Sequence, residues 1–226
     1  MKYIQSSKNP VVKQWKKLLT KKERDLTRTY IIEGFHLVEE ALKQEDTVLE
    51  LIQVEGIDLP QKWKVDSVSM TMVSDEVGKV LSDTETSQGI FAICKQKEDE
   101  HDREKAETFM LLDGLQDPGN IGTIIRTADA AGIDMVVLGK GTVDPYNPKV
   151  LRSAQGAHFH LPIIRRDLTE TIPELKERND DDDRVNDADR RRFGSGENAG
   201  VNAAEDDERH QQRVARRPEG APGPGP

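Results

Sequence analysis

The chain has 226 residues, 35% of them hydrophobic and 33% charged, with a formal net charge of −9. That length suits one large domain or two small ones, and no stretch approaches the ~20 apolar residues that a membrane span requires. MKYIQSSKNP lacks the apolar centre of a secretory signal, which makes the cytoplasm the expected location. The lone Cys94 has no partner for an internal disulfide and reads as a buried strand thiol inside the apolar run Gly89–Cys94.

Taken whole, the charge argues against a polyanionic partner, but its distribution does not. Lys2, Lys8, Lys13, Lys16, Lys17, Lys21, Lys22, Arg24 and Arg28 crowd the first segment, opposed only by Glu23 and Asp25. Local sign matters more than the sum for such a partner. Ser7–Leu26 reads as one basic helix. Pro10 suits its first turn, and Val11, Val12, Trp15, Leu18 and Leu19 supply an apolar stripe. The lysines supply a wet face, either a solvated surface or a set of phosphate contacts that position RNA without reading its sequence. Trp15 reads as core rather than as a stacking platform.

Thr29–Glu33 reads as a strand, Gly34 as a turn and Phe35–Lys43 as a helix. Val48–Val54 and Val65–Val73 are the next strands, Asp75–Leu81 a short helix and Gly89–Cys94 a final strand. Residues 1–94 thus predict a small α/β domain. Glu33 reads as a helix-start acid paired with Arg24 or Arg28. Residues 95–107, with no apolar side chain except Ala106, read as a linker.

Residues 108–178 alternate strand and helix, which implies a parallel sheet. Phe109–Leu112 is a short buried strand, and Asp113, Gly114, Asp117, Pro118, Gly119 and Asn120 are turn formers. Ile121, Ile124, Ile125 and Ala128 then recur at helical spacing as far as Ala131, with Asn120 at the N-cap position. Gly122 leaves the helix start bare, so that a ligand could approach the backbone. Arg126 lies one turn further on. It could face a ligand in the loop or pair with Asp113 or Asp129. A strand end, a Gly-rich turn and a helix start make the usual ligand site of an α/β sheet, although neither GxGxxG nor a P-loop is present. Met135–Leu138 is a strand, followed by Gly139-Lys140-Gly141, read as a simple turn in preference to a phosphate cradle. A helix over Pro148–Gln155 places Lys149 and Arg152 on one face. Phe159–Ile164 reads as a strand, with His158 and His160 alternating along it. There is no Cys/His cluster, and no metal site is expected.

The run Asn120-Ile121-Gly122-Thr123-Ile124-Ile125-Arg126-Thr127-Ala128 resembles the first motif, N-x-G-x-x-x-R-x-A, of the SpoU (TrmH-type) branch of the SPOUT RNA methyltransferases. The similarity takes in the preceding DGLQDPGN, then Asp144–Lys149, Arg152–Ala157 and His160-Leu161-Pro162, and spans roughly Ser7 to Leu175. It implies an RNA ribose 2′-O-methyltransferase dependent on S-adenosylmethionine, acting on ribosomal RNA ahead of transfer RNA. It implies Arg126 and Asn120 at the reacting ribose, Gly122 and more weakly Gly139 at the cofactor, and Lys149 and Arg152 on the RNA. The N-terminal unit, with its EGFHLVEEAL stretch, resembles the RNA-binding unit of that family, which makes Lys8, Lys13, Lys16, Lys17, Arg24 and Glu33 candidates for holding RNA. A non-catalytic RNA-binding protein is the alternative.

Past Leu175 the sequence departs from the family. Residues 179–226 contain no Leu, Ile or Lys, and their strongly basic residues are all Arg. Such a composition predicts disorder. The family's S-L-N-V segment, which helps to build the cofactor loops and a trefoil knot, has no counterpart here, and Gly196–Val201 only faintly resembles the turn that precedes it. A change of reading frame near Arg178–Asp183, or a fused tail, is the expected cause, and the coding DNA would show it. Poor cofactor binding and an uncompleted knot follow as expectations. The family dimerises through the knotted domain, which leaves dimerisation of this chain open.

Overall fold

The computed structural model describes residues 2–97 and 105–178. In its first sheet, β1 (Lys2–Ile4), β2 (Thr29–Glu33), β3 (Val48–Val54), β4 (Ser69–Val73) and β5 (Ile90–Lys95) lie in the order β1-β4-β3-β5-β2. β1, β4 and β3 are parallel, and β5 runs antiparallel to both β3 and β2. Side chains alternate across a strand, so Ile31, Ile52, Phe91 and Ile93 face one side while Tyr30, Ile32, Leu51, Ala92 and Cys94 face the other. The first face is covered by Val12 and Trp15 of α1 (Pro10–Lys17) and by Val77 and Leu81 of α4 (Asp75–Leu81). The second is covered by Leu37, Val38 and Ala41 of α3 (Phe35–Leu42). Cys94 and Trp15 are buried, as expected.

The single helix expected over Ser7–Leu26 is two. The amides of Leu18, Leu19 and Thr20 bond back to the carbonyls of Trp15, Lys16 and Lys17, which tightens the last turn of α1 and ends it. α2 (Lys21–Thr27) then starts separately, after Thr20, and Arg24, expected on the wet face, is buried. The short β1 carried no signal in the sequence. The strand expected over Val65–Val73 is only Ser69–Val73, because Val65–Val68 forms a turn closed by the Val68 amide on the Val65 carbonyl.

The second sheet is parallel, in the order β6 (Phe109–Leu112), β7 (Met135–Leu138), β8 (Ile163–Arg165). On one face, Ile121, Ile125 and Ala128 of α5 (Pro118–Ala130) and Val150 and Ala154 of α6 (Pro148–Ala154) pack on Val136 and Leu138. On the other, Met135, Val137 and Ile164 meet Ala106 and Leu168, the latter from a helix over 168–178, here α7. The strand expected over Phe159–Ile164 is confined to Ile163–Arg165, since Ala157–Phe159 winds into a 3-10 turn.

Within the unit Met1–Leu175 one apolar cluster joins the second face of the first sheet to side chains that follow β7. Leu151 and Phe159 are buried in the same cluster as Tyr30, Leu37 and Leu51, and the Tyr146 ring lies on Tyr30 with centroids 4.6 Å apart. At the expected linker, Lys95 closes β5, and the buried Gln96 donates its side-chain amide to the Arg24 carbonyl at 3.2 Å. Residues 98–104 lie outside the described residues, as do residues 179–226, for which disorder was expected.

Candidate functional site

The candidate site is built around the start of α5. Asp117, not Asn120, caps this helix: its carboxylate accepts from the Asn120 amide at 2.7 Å, and Pro118 takes the first helical position. Pro there loses nothing, because its missing N–H would have had no helical partner. The Asn120 side chain is thereby left exposed to solvent. Gly122 is buried, and its bareness serves a different purpose from ligand approach. A Cβ there would lie 2.4 Å from the Ser153 Cβ, 2.6 Å from the Val150 carbonyl oxygen and 2.9 Å from the Ala154 nitrogen. The glycine lets α6 press against α5, and the space expected for a ligand is filled by protein.

Arg126 is exposed, and among the described residues its guanidinium has no ion pair or hydrogen-bond partner. The expected alternative, a bridge to Asp113 or Asp129, is not formed. Asp129 instead approaches Nδ1 of His160 at 3.4 Å.

The loop that follows β7 supports this face. The Gly139 amide and the Thr142 hydroxyl both donate to the Leu112 carbonyl, at 2.8 and 3.0 Å, and the Val143 amide donates to the Leu115 carbonyl at 2.9 Å. Arg165 clamps the same loop from β8, donating to the carbonyls of Thr142 and Val143. Gly139 borders an open pocket of about 290 Å³ with Leu138, Lys140, Arg165, Arg166 and Asp167. A Cβ at Gly139 would come within 2.8 Å of Leu168 and 2.9 Å of the Asp113 carboxylate, so this side of the glycine is occupied by the chain itself.

Arg24 is not on the RNA-accessible surface, contrary to expectation. It is 2% exposed, and its Nη2 and Nε donate to Asp144 Oδ2 at 2.6 and 3.0 Å, while Nη1 donates to the Leu18 carbonyl at 2.9 Å. Asp144 also receives the Tyr146 amide at 3.2 Å. Arg24 therefore ties α2 to the loop that supports the motif. A buried guanidinium must find such partners or carry a heavy desolvation cost.

Of the two arginines expected for Glu33, Arg24 is taken by Asp144 and the Leu18 carbonyl, and Glu33 fastens the loop after α4. It accepts from the Ser82 hydroxyl at 3.0 and 2.8 Å and from the Gln88 amide at 3.1 Å. Gln88 in turn accepts from the Phe35 amide at 3.1 Å. Lys8, Lys13, Lys16, Lys17 and Lys149 are exposed, and Arg152 is half-buried with Nη2 on Asp83 Oδ2 at 3.1 Å.

The two histidines do not share a strand face. His158 is buried, with Nε2 2.7 Å from the Pro145 carbonyl and Nδ1 without a partner among the described residues. Burial pushes its pKa down to about 4, against the smaller raising effects of the Pro145 carbonyl and Asp144. His160 is exposed between Glu40 at 3.2 Å and Asp129 at 3.4 Å. Sequence reasoning passed over Asp83 and Arg165 and met Asp144 only as part of the family resemblance; the partners of all three are remote. Asp117 was detectable, since an acid before Pro is a common start to a helix.

Residues 9–92 match the model of the MRM3-like substrate binding domain, and residues 107–182 match that of the SpoU rRNA Methylase family. The chain is 49% identical over 176 residues to the 23S rRNA (guanosine(2553)-2′-O)-methyltransferase RlmP of Bacillus subtilis, covering 78% of this chain and 70% of that one. It is 38% identical over 154 residues to human mitochondrial rRNA methyltransferase 3, of which it spans only 36%. Among solved structures, an RNA 2′-O ribose methyltransferase aligns with a TM-score of 0.66 at 31% identity, covering 78% of this chain and 70% of that chain. An AdoMet-bound rRNA methyltransferase from Sinorhizobium meliloti aligns with a TM-score of 0.66 at 33% identity, covering 78% and 68%.

Proposed function

The chain belongs to the SpoU rRNA methylase family, and from that premise we propose that its chemistry is 2′-O-methylation of a ribose in RNA, ribosomal RNA ahead of transfer RNA, with S-adenosylmethionine as the methyl donor. The observation that carries this reading is Arg126, an exposed guanidinium with no partner among the described residues, on the helix whose first turn presents Asn120. A guanidinium stays protonated in proteins, so Arg126 does not serve as the base. It holds the phosphate beside the target ribose and stabilises charge growing on the 2′-oxygen. Asn120 orders the ribose. The exposed Lys8, Lys13, Lys16 and Lys17 hold the RNA backbone, and Lys149 adds a contact near the motif.

The described residues do not fit the whole donor. The pocket at the ends of β7 and β8 is lined by Lys140, Arg165 and Arg166 against one carboxylate, Asp167, a net positive wall that suits a sulfonium cation poorly, and its lining includes no aromatic side chain on which an adenine could stack. Residues 179–226 contain no S-L-N-V segment. We therefore propose that the 226-residue chain binds RNA and takes up S-adenosylmethionine poorly, with little or no methyl transfer. Calorimetric titration tests this: micromolar donor binding overturns it. Whatever transfer to ribosomal RNA is measured at high donor concentration is expected to vanish in Arg126→Ala with RNA binding retained. Unchanged transfer and binding in that variant would favour an RNA-binding module without catalysis.

A further inference from the structure

The loop between α4 and β5, residues 82–89, is polar and mostly exposed, yet it is held in place. The Glu33 carboxylate fastens both of its ends, through the Ser82 hydroxyl and the Gln88 amide. Thr84 is bonded to Ser82 and to the Thr86 carbonyl within it. This fixed loop presents Asp83 to Arg152 of α6, through a single contact of 3.1 Å with side chains 32% and 48% exposed. Glu33, Asp83 and Arg152 also line one small cavity with Pro148 and Leu151. On the same face of α6, at the preceding turn, Lys149 lies beside the start of the motif helix: its Cε is 3.8 Å from where a Cβ of Gly119 would stand. Motif start, Lys149, Arg152 and Asp83 therefore follow one another across the surface. Two cations lead away from the motif and end at a carboxylate.

We propose that Asp83 is a stand-in for an RNA phosphate: it holds Arg152 when no RNA is bound, and a backbone phosphate of the strand entering the motif takes its place. This rests on the reading of the chain as RNA-binding. An exposed, one-contact ion pair contributes little and exchanges readily, whereas a phosphate offers a guanidinium two parallel bonds. Once Arg152 moves to the phosphate, Asp83 is left as a like charge beside a polyanion, which weakens binding of RNA that does not fill the site well. The Glu33-fastened loop keeps that carboxylate from swinging away.

The test is binding of a fluorescein-labelled RNA hairpin by the full chain across a salt series. Asp83→Asn keeps the shape and an acceptor for Arg152 but removes the charge, and it is expected to tighten binding by about two- to fivefold. Arg152→Ala is expected to weaken binding and to lower the slope of log K against log salt by about one. The decisive variant combines them: without Arg152, the gain from Asp83→Asn disappears. A gain that persists in the double variant reflects general repulsion and overturns the proposal, as does a single Asp83→Asn that leaves binding unchanged or weaker. Both positions are partly exposed, and unchanged thermal melting of the variants excludes misfolding as the cause. A wild-type chain that binds no RNA would instead overturn the function proposed above.

Discussion

Two arginines that the sequence nominates for RNA end in opposite surroundings. Arg24, in a run of basic residues, is 2% exposed and spends three donors on Asp144 and the Leu18 carbonyl. Arg126, in an apolar helix, is exposed with no partner among the described residues. A guanidinium has five donors and no acceptor, and its role follows from what is close enough to receive them. At Arg24 the protein supplies acceptors to all three guanidinium nitrogens, and the residue is a fastener between α2 and the loop after β7. At Arg126 no acceptor stands within reach among the described residues, which leaves the guanidinium free for the phosphate contact proposed for it.

The contrast is broken most directly at Arg24. Replacing it with Met leaves Asp144 charged and buried without its partner, and the expected loss is about 3–5 kcal/mol of unfolding free energy in urea. Adding Asp144→Leu removes the stranded charge and should restore much of that loss. A loss below about 1 kcal/mol in the single variant would mean that the pair is not a fastener.

A second test of the buried side uses pH. His158 is neutral in the folded chain because burial pushes its pKa down to about 4, whereas the unfolded chain takes up that proton below roughly 6.5. Its contribution is therefore complete above pH ~6.5 and is lost as pH falls toward about 4, on the order of 3 kcal/mol in all. Glu40, Asp134 and Asp167, whose carboxyls are lowered by bonds from Lys43, Thr108 and Thr169, lose their contributions mostly beneath that window. Unfolding measured across it should flatten in His158→Gln. An unaltered slope would assign the effect elsewhere.

Gly122 sharpens the comparison from the motif's inner side. In Gly122→Ala the new methyl meets Ser153 and the backbone of α6 within 3 Å, and neither can yield without moving a helix. The expected loss is about 1–3 kcal/mol, read from urea midpoints. A neutral result would reopen the glycine as a place for a ligand.

Legibility from sequence followed the range of the interactions. The strands Thr29–Glu33, Val48–Val54, Phe109–Leu112 and Met135–Leu138 stand where periodicity placed them, because alternation and apolar runs are local. The parallel second sheet followed from the order of its elements. The break between α1 and α2 was missed because the wet face stays basic across it, and the apolar residues on either side preserve the helical count. Arg24 was misplaced because its partner, Asp144, lies 120 residues away. Asn120 and Gly122 were identified as motif positions, yet their local roles were misread. Asp117 outcompeted Asn120 for the cap, and the glycine's empty side was claimed by α6, a contact that spacing does not reveal.

The smallest expected effect on stability is at Arg126. Its guanidinium touches no acceptor among the described residues, so Arg126→Ala removes a solvated charge from a helix surface and little else. Unfolding free energy should stay within about 0.5 kcal/mol of the parent chain, against a loss several times larger at Arg24. The two substitutions together then separate fastening from the proposed function: the same chemical group is deleted, once where described residues bond it and once where none does. If Arg126→Ala cost as much as Arg24→Met, an unseen partner would be holding the guanidinium and the face would lose its claim to be a site. If it costs nothing and RNA-dependent behaviour changes, the charge is kept there for a partner outside the chain.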